Sequence, residues 1–314
     1  MSFSVTIDNT KIFPVIYLKD NVAKCEAEIF AFGALLNAFT INSNNKLLNV
    51  VDGFNSVEEA TTHITQGFKS AKLSPFVCRL KHGTYCYQQH AYTIQKFYLP
   101  PHAIHGIVYD AVYTIVLEEA DEHRARVVLQ YQYTGFDKGF PFKYDIEVQW
   151  QLMHQQQLQV STTVHHNNAE AIPFADGWHP YFTLGDNSID ECLLQLNTHQ
   201  LIEFDETLIP TGTVVNDYRF ENEMILQDIQ LDHCYLLNAN KHQCILKNNL
   251  VQLTIKPSAA YPFVQVYTPP HRKSIAIENL SAAPDAFNNL MGLLLLQPNK
   301  KHVFTTTYQV SLLS

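Results

Sequence analysis

The chain has 314 residues, 46% of them hydrophobic and 16% charged, with 19 Phe and 16 Tyr; that stock fills a large core and excludes disorder as the dominant state. A net charge of −9 without any polybasic window excludes a nucleic-acid backbone as partner and points to a neutral or weakly polar ligand. The start of the chain lacks a basic residue followed by an apolar run, and the aliphatic run at residues 291–296 is far shorter than the ~20 residues a membrane span needs. The expectation is a soluble, cytoplasmic chain with no membrane partner.

Taken in chain order, the first element to declare itself is a helix. Ser56 and Glu59 fit a capping box, with Val57, Ala60 and Ile64 on one face behind it. From there onward period-two alternation dominates. Tyr144, Ile146, Val148, Trp150 and Leu152 alternate with Asp145, Glu147, Gln149 and Gln151, and Leu158, Val160, Thr162 and Val164 form the return strand of a hairpin. Asn248 and Asn249, between Cys-Ile-Leu and Val-Gln-Leu-Thr-Ile, read as a tight turn. Phe304, Thr306, Tyr308, Val310 and Leu312 alternate against polar residues in a closing strand. Turn signals recur without a linker-like stretch, so residues 1–314 are expected to form one all-β domain, a large antiparallel β-sandwich. With only 11 Gly, Asn and Asp must supply many of the turns.

The six cysteines are widely spaced, none in a Cys-x-x-Cys pair, and read as reduced thiols in or near a core. His102 and His105 stand three apart, as a metal pair might, but no third ligand with suitable spacing is evident. Neither a metal nor a cofactor is expected. His233 and the adjacent His165 and His166 read as structural or exposed.

Four short segments place a reactive side chain beside an aromatic residue or a proline. They are Pro-His-Ala-Ile-His-Gly with His105, Gly-Trp-His-Pro-Tyr-Phe with His179, Leu-Asp-His-Cys-Tyr with Asp232, and Ile-Ala-Ile-Glu-Asn with Glu278. Taken alone, His179 reads as a core histidine in an aromatic-rich strand, and Glu278 as a cap on the following turn. Asp232 reads equally as a turn aspartate or a ligand-binding one, and Arg79, in Ser-Pro-Phe-Val-Cys-Arg-Leu, reads as a solvated strand arginine or a donor to a ligand. The set nonetheless offers an acid, a base and groups that hold hydroxyls. A carboxylate and an imidazolium, with ordinary pKa values of about 4.3 and about 6.5, coexist in charged form near neutrality.

In order and spacing these segments, with Arg79 ahead of the first histidine and Pro-Asp-Ala-Phe-Asn after Glu278, resemble the aldose 1-epimerase (galactose mutarotase) family from about Cys25 to Gln309. The resemblance implies a catalytic trio of His179 as acid on the ring oxygen, Glu278 as base and His105 assisting. It further implies Arg79 and Asp232 as binders of sugar hydroxyls and Trp178 as a substrate-binding residue for a small-molecule sugar; beside His179, Tyr181 and Phe182 offer flat surfaces of the kind sugars stack on. The chain departs from the family pattern where Cys78 replaces a common Asn, where Trp178 stands before His179 in place of the usual Asn and Pro180 follows it, and after Gly106. These departures imply a divergent branch. Three other readings stay open: a non-catalytic carbohydrate-binding protein of the same fold, a hexose-6-phosphate 1-epimerase, and a glycoside hydrolase using Asp232 and Glu278.

Overall fold

The computed structural model describes residues 2–43, 46–185 and 188–313. Strands Tyr144–Met153 and Gln157–His165 pair antiparallel, with Trp150 opposite Val160, as the alternation requires. Lys301–Leu312 pairs with the second of them and with Val251–Pro257 on its other side. These strands belong to a nine-stranded sheet. Its apolar positions Ile146, Val148, Trp150, Val160 and Tyr308 are buried. The turn at Asn248 joins Cys244–Lys247 to Val251–Pro257, and the Asn248 side chain accepts from the backbone N–H of Leu250 and Val251 at 2.9 Å each. That Asx closure does the work a glycine would do in another chain.

An eight-stranded sheet faces the nine-stranded one. It runs Pro210–Asn216, Gln200–Phe204, Asp232–Leu236, Phe263–Tyr267, Ile275–Leu280, Gly177–His179 and Ala71–Leu73, with Tyr181–Phe182 added beside Ile275–Leu280. Trp178 meets Trp150 edge to face at 5.6 Å, Phe182 meets Tyr308, and Asn279 Nδ2 donates to Thr306 Oγ1 at 2.9 Å. A five-stranded meander at the N-terminus, Phe3–Asp8 to Lys46–Asn49, shares the same apolar core. All named strand pairs among the described residues are antiparallel, so the all-β sandwich expectation agrees with the structure. No described helix is long and apolar enough to cross a membrane.

The expected helix is Val57–His63. Ser56 Oγ accepts from Glu59 N at 3.2 Å, and Glu59 Oε2 accepts from Asn55 N at 2.6 Å. A second, four-residue helix, Ala286–Asn289, escapes sequence reading because left-handed Asp285 and Leu290 at its two ends leave it no amphipathic period. It lies inside the Pro-Asp-Ala-Phe-Asn segment and fixes the neighbouring strand. Asp285 N donates to Arg79 O at 2.7 Å, and Asp285 Oδ1 accepts from Lys81 N at 2.8 Å.

One ionic cluster lies inside the sandwich. Lys72 Nζ donates to Asp176 Oδ1 with both side chains fully buried, Tyr261 Oη donates to the same oxygen at 2.6 Å, and the ammonium lies 4.5 Å from the Trp178 ring centre. Burial is the leading influence on both partners, pushing Lys72 down to about 8 and Asp176 up. Removing one partner strands the other charge in the core. Lys72→Ala is therefore expected to lower stability by about 3–5 kcal/mol, and Lys72→Met, which keeps the stem but strands Asp176 equally, should recover only part of that. Chemical denaturation of both variants measures it, and a Lys72→Ala protein as stable as the parent refutes it.

Candidate active site

The eight-stranded sheet sets side chains in rows. In an antiparallel ladder, facing residues project from the same side of the sheet. Gln265 faces Cys234 on one side and Glu278 on the other. Trp178 faces Asn279, so one step along the same register His179 comes beside Glu278. Tyr267 faces Asp232 two residues further along the same surface. Thus Asp232, Gln265, Tyr267, Glu278 and His179, drawn from four strands, converge on one patch.

A second layer closes over it. Arg79–Leu80 pairs with His102–Ile104, putting Arg79 opposite Ile104. His105 follows at once, and its N–H donates to Cys78 O at 2.9 Å. Both Cys78 (φ 47°) and His105 (φ 63°) have left-handed backbones, a conformation that costs a non-glycine residue of order 1 kcal/mol or more and collects at functional sites. Gly106 (φ +77°) is held so tightly that a Cβ would come within 2.3 Å of Ser74 O. Only glycine fits that turn, and the turn delivers His105.

Between the two layers lies a cleft of about 310 Å³ lined by Arg79, His105, His179, Asp232 and Glu278, with Cys78, Gln265 and Tyr267 and an apolar wall that includes Phe68, Phe97, Tyr181 and Phe204. His179 Nε2 lies 3.3 Å from Glu278 Oε1, both nearly fully buried. The His179 ring stacks on Tyr181 at 5.0 Å and receives the edge of His105 at 4.8 Å. Cys78 Sγ donates to Glu278 Oε2 at 3.7 Å, and Gln265 Nε2 donates to Asp232 Oδ1 at 2.6 Å.

Desolvation governs the ionisation. Burial pushes the Glu278 carboxyl well above its usual range, Asp232 adding to the rise while Cys78 and Arg79 oppose it. Burial holds the His179 imidazolium down to about 4 and also pushes His105 well below an ordinary histidine, the neighbouring His179 and Arg79 contributing. Asp232 is raised by burial against the pull of Arg79 and Gln265. Opposite shifts on His179 and Glu278, in contact, leave the pair with one proton between them over a wide pH range, which is the composition of one acid and one base.

Nδ1 of His105, Nδ1 of His179 and Oε1 of Gln265 are buried without a hydrogen-bond partner among the described residues. Buried polar atoms are ordinarily paired, and each orphan costs about 1–3 kcal/mol; three lining one cleft point to a polar ligand that satisfies them. The ligating atoms of Cys78, His105 and Glu278 also lie within 4.8 Å of one another.

Five of the six site residues read from sequence therefore line this cleft. Trp178 does not. Its strand alternates, so with His179 turned to the cleft the indole turns inward, between Trp150 and Lys72; of the two expected flat surfaces Tyr181 lines the cleft, beside Tyr267 and Phe68, Phe97 and Phe204, whereas Phe182 is buried in the core against Tyr308. His102, buried, accepts from His82 N at 3.0 Å through Nδ1 and is not among the residues lining the cleft. His166 is buried against Leu296 O, His165 lies 3.7 Å from Asp145, and His233 accepts from Asp232 N. Gln265 and Tyr267 escape sequence reading because nothing in Phe-Val-Gln-Val-Tyr marks them until the register aligns them with Glu278 and Asp232.

A model of the aldose 1-epimerase family matches residues 14–309. Among curated proteins, the uncharacterised protein YihR of Escherichia coli K12 is 27% identical over 237 residues, covering 73% of this chain and 75% of its own. Among solved structures, a galactose 1-epimerase from Lactobacillus acidophilus superposes with a TM-score of 0.85 at 19% identity over 99% of both chains. A galactose mutarotase-like protein from Clostridium acetobutylicum superposes with a TM-score of 0.87 at 16% identity, again over 99% of both.

Proposed function

The chain belongs to the aldose 1-epimerase family, and from that premise we propose that it is a mutarotase interconverting the α and β anomers of a free, unphosphorylated aldose. The observation that carries the reading is the 3.3 Å contact between His179 and Glu278 inside the cleft. Mutarotation needs one group to take the proton from the C1 hydroxyl and another to give a proton to the ring oxygen. Glu278 takes the first proton, the bond from C1 to the ring oxygen breaks, and His179 protonates that oxygen, leaving the open-chain aldehyde. Rotation about the C1–C2 bond presents the other carbonyl face, and the two proton transfers run in reverse. The net proton count is unchanged, and no redox partner takes part.

Both shifts favour the neutral tautomer of the pair. Sugar hydroxyls between the two groups return hydrogen bonds to the charged form and bring it within reach. Arg79, Asp232 and Gln265 orient the ring hydroxyls, the aromatic wall stacks on the apolar face of the sugar, and His105 supports the ring oxygen.

The cleft lining contains one cation, Arg79, and two carboxylates. Arg272 is engaged by Asp190 and by the carbonyls of Ile229 and Leu226. A dianionic sugar phosphate therefore finds too little positive charge, which favours the free aldose over the 6-phosphate reading. The test is anomer exchange by NMR or polarimetry over a panel of free and phosphorylated aldoses. Turnover of glucose 6-phosphate well above that of every free hexose refutes the substrate class, and absence of exchange on all refutes mutarotation in favour of a binding protein.

The pH profile gives a second check. A second proton enters the pair only as pH falls through about 4, the depressed value of His179, so kcat/KM should fall there and not near the ordinary imidazole value of about 6.5. On the alkaline side the last proton leaves only above the usual carboxyl range, because burial raises Glu278. An acid limb centred near 6.5 contradicts the assignment.

A further inference from the structure

We propose that Cys78, His105 and Glu278 form a binding site for a thiophilic divalent cation of the zinc class, and that occupation of the site removes Glu278 from the sugar. The donors are one thiolate, one imidazole and one carboxylate, a set suited to zinc with an open fourth position. Their ligating atoms all lie within 4.8 Å of one another. Ion-to-sulfur and ion-to-oxygen distances of about 2.3 Å and about 2.1 Å at a tetrahedral angle put sulfur and oxygen about 3.6 Å apart. Cys78 Sγ and Glu278 Oε2 stand at 3.7 Å, so the two ligands are already at chelating separation.

The third ligand is held in the same frame. His105 N donates to Cys78 O, which ties the two left-handed residues together before any ion arrives. His105 is 7% exposed and lines the cleft, and its Nδ1 has no partner among the described residues, leaving the imidazole free to ligate. Asn is the non-glycine residue most at ease in a left-handed backbone; the chain instead carries a β-thiol there, beside the carboxyl of Glu278. Binding costs the Cys78 thiol its proton, and the Glu278 carboxyl its own where protonated; both leave to solvent as the sulfur and oxygen lone pairs go to the ion. Because the ion takes the carboxylate proposed above as the base, the loss of catalysis rests on that reading, whereas binding does not.

The test titrates the full-length protein with Co²⁺, whose absorption reports its ligands, and then displaces it with Zn²⁺. The expected result is a thiolate-to-cobalt charge-transfer band in the near ultraviolet, saturating at one ion per chain. Cys78→Ser should abolish it and His105→Gln weaken it at least tenfold in affinity, while Cys86→Ser, at an exposed thiol elsewhere, keeps it. No band in the parent, or a band surviving Cys78→Ser, overturns the site. Should Cys78→Ser fail to fold, alkylation of the parent mapped by mass spectrometry decides: Zn²⁺ must shield Cys78, and an unshielded Cys78 overturns the proposal. In the anomer-exchange assay Zn²⁺ should suppress turnover at least tenfold, reversibly by EDTA, and Mg²⁺ should not. Binding without suppression sinks the inhibitory part alone, and a protein inactive on every sugar leaves the spectroscopic outcome standing.

Discussion

Glu278→Gln should reduce anomer exchange by roughly 10²–10⁴-fold, the range expected when a general base is removed. The amide keeps the size of the carboxyl and can still hydrogen bond with Cys78 and a C1 hydroxyl, but it cannot accept the hydroxyl proton. Sugar affinity, measured by titration or by KM, should change far less, since Arg79, Asp232 and Gln265 keep their places. Stability should hold or rise, because the replacement removes a carboxyl that burial disfavours in its charged form. Anomer exchange within a few-fold of the parent would remove Glu278 from the mechanism and with it the main support for mutarotation. A large loss of affinity with turnover preserved would make Glu278 a binding residue.

The parts of this molecule legible in its sequence are those fixed by local chemistry. The capping box at Ser56 and Glu59, the Tyr144 to Val164 hairpin and the Asn248 turn each depend on residues a few positions apart, and each is present. The acidic and imidazole groups of the cleft were visible as oddities, a carboxylate ending an apolar strand and a histidine packed among aromatics. Their convergence was not visible, because it depends on the order of strands in the eight-stranded sheet, where Asp232–Leu236 and Phe263–Tyr267 lie beside Ile275–Leu280 and Gly177–His179 on its far side. Trp178 shows the limit most plainly. The family resemblance places it in the site beside His179, yet strand geometry sends consecutive side chains to opposite faces, and the indole serves the core. In the sequence Cys78 stands out only as a departure from the family pattern; its left-handed backbone and its 3.7 Å approach to Glu278 emerge only from the fold.

His179→Gln should cut turnover by a similar ~10²–10⁴-fold, since glutamine can donate a hydrogen bond to the ring oxygen but cannot surrender a proton to it. In the proposed mechanism base and acid act on the same substrate in one event, so the losses should not multiply. With Glu278 already replaced, a proton donor at position 179 has no partner step to complete, and the double variant should be little slower than the poorer single one. Independent action would instead give the product of the two losses, a further ~10²-fold or more that single-turnover NMR exchange rates distinguish readily. His105 provides the internal contrast. Its ring meets His179 edge-on at 4.8 Å, and the proposed mechanism has it assist the same oxygen without being the proton donor, so His105→Gln should cost less than His179→Gln. A His105 variant slower than His179→Gln would exchange the roles of the two histidines, making the ring on the Cys78 side of the cleft the acid.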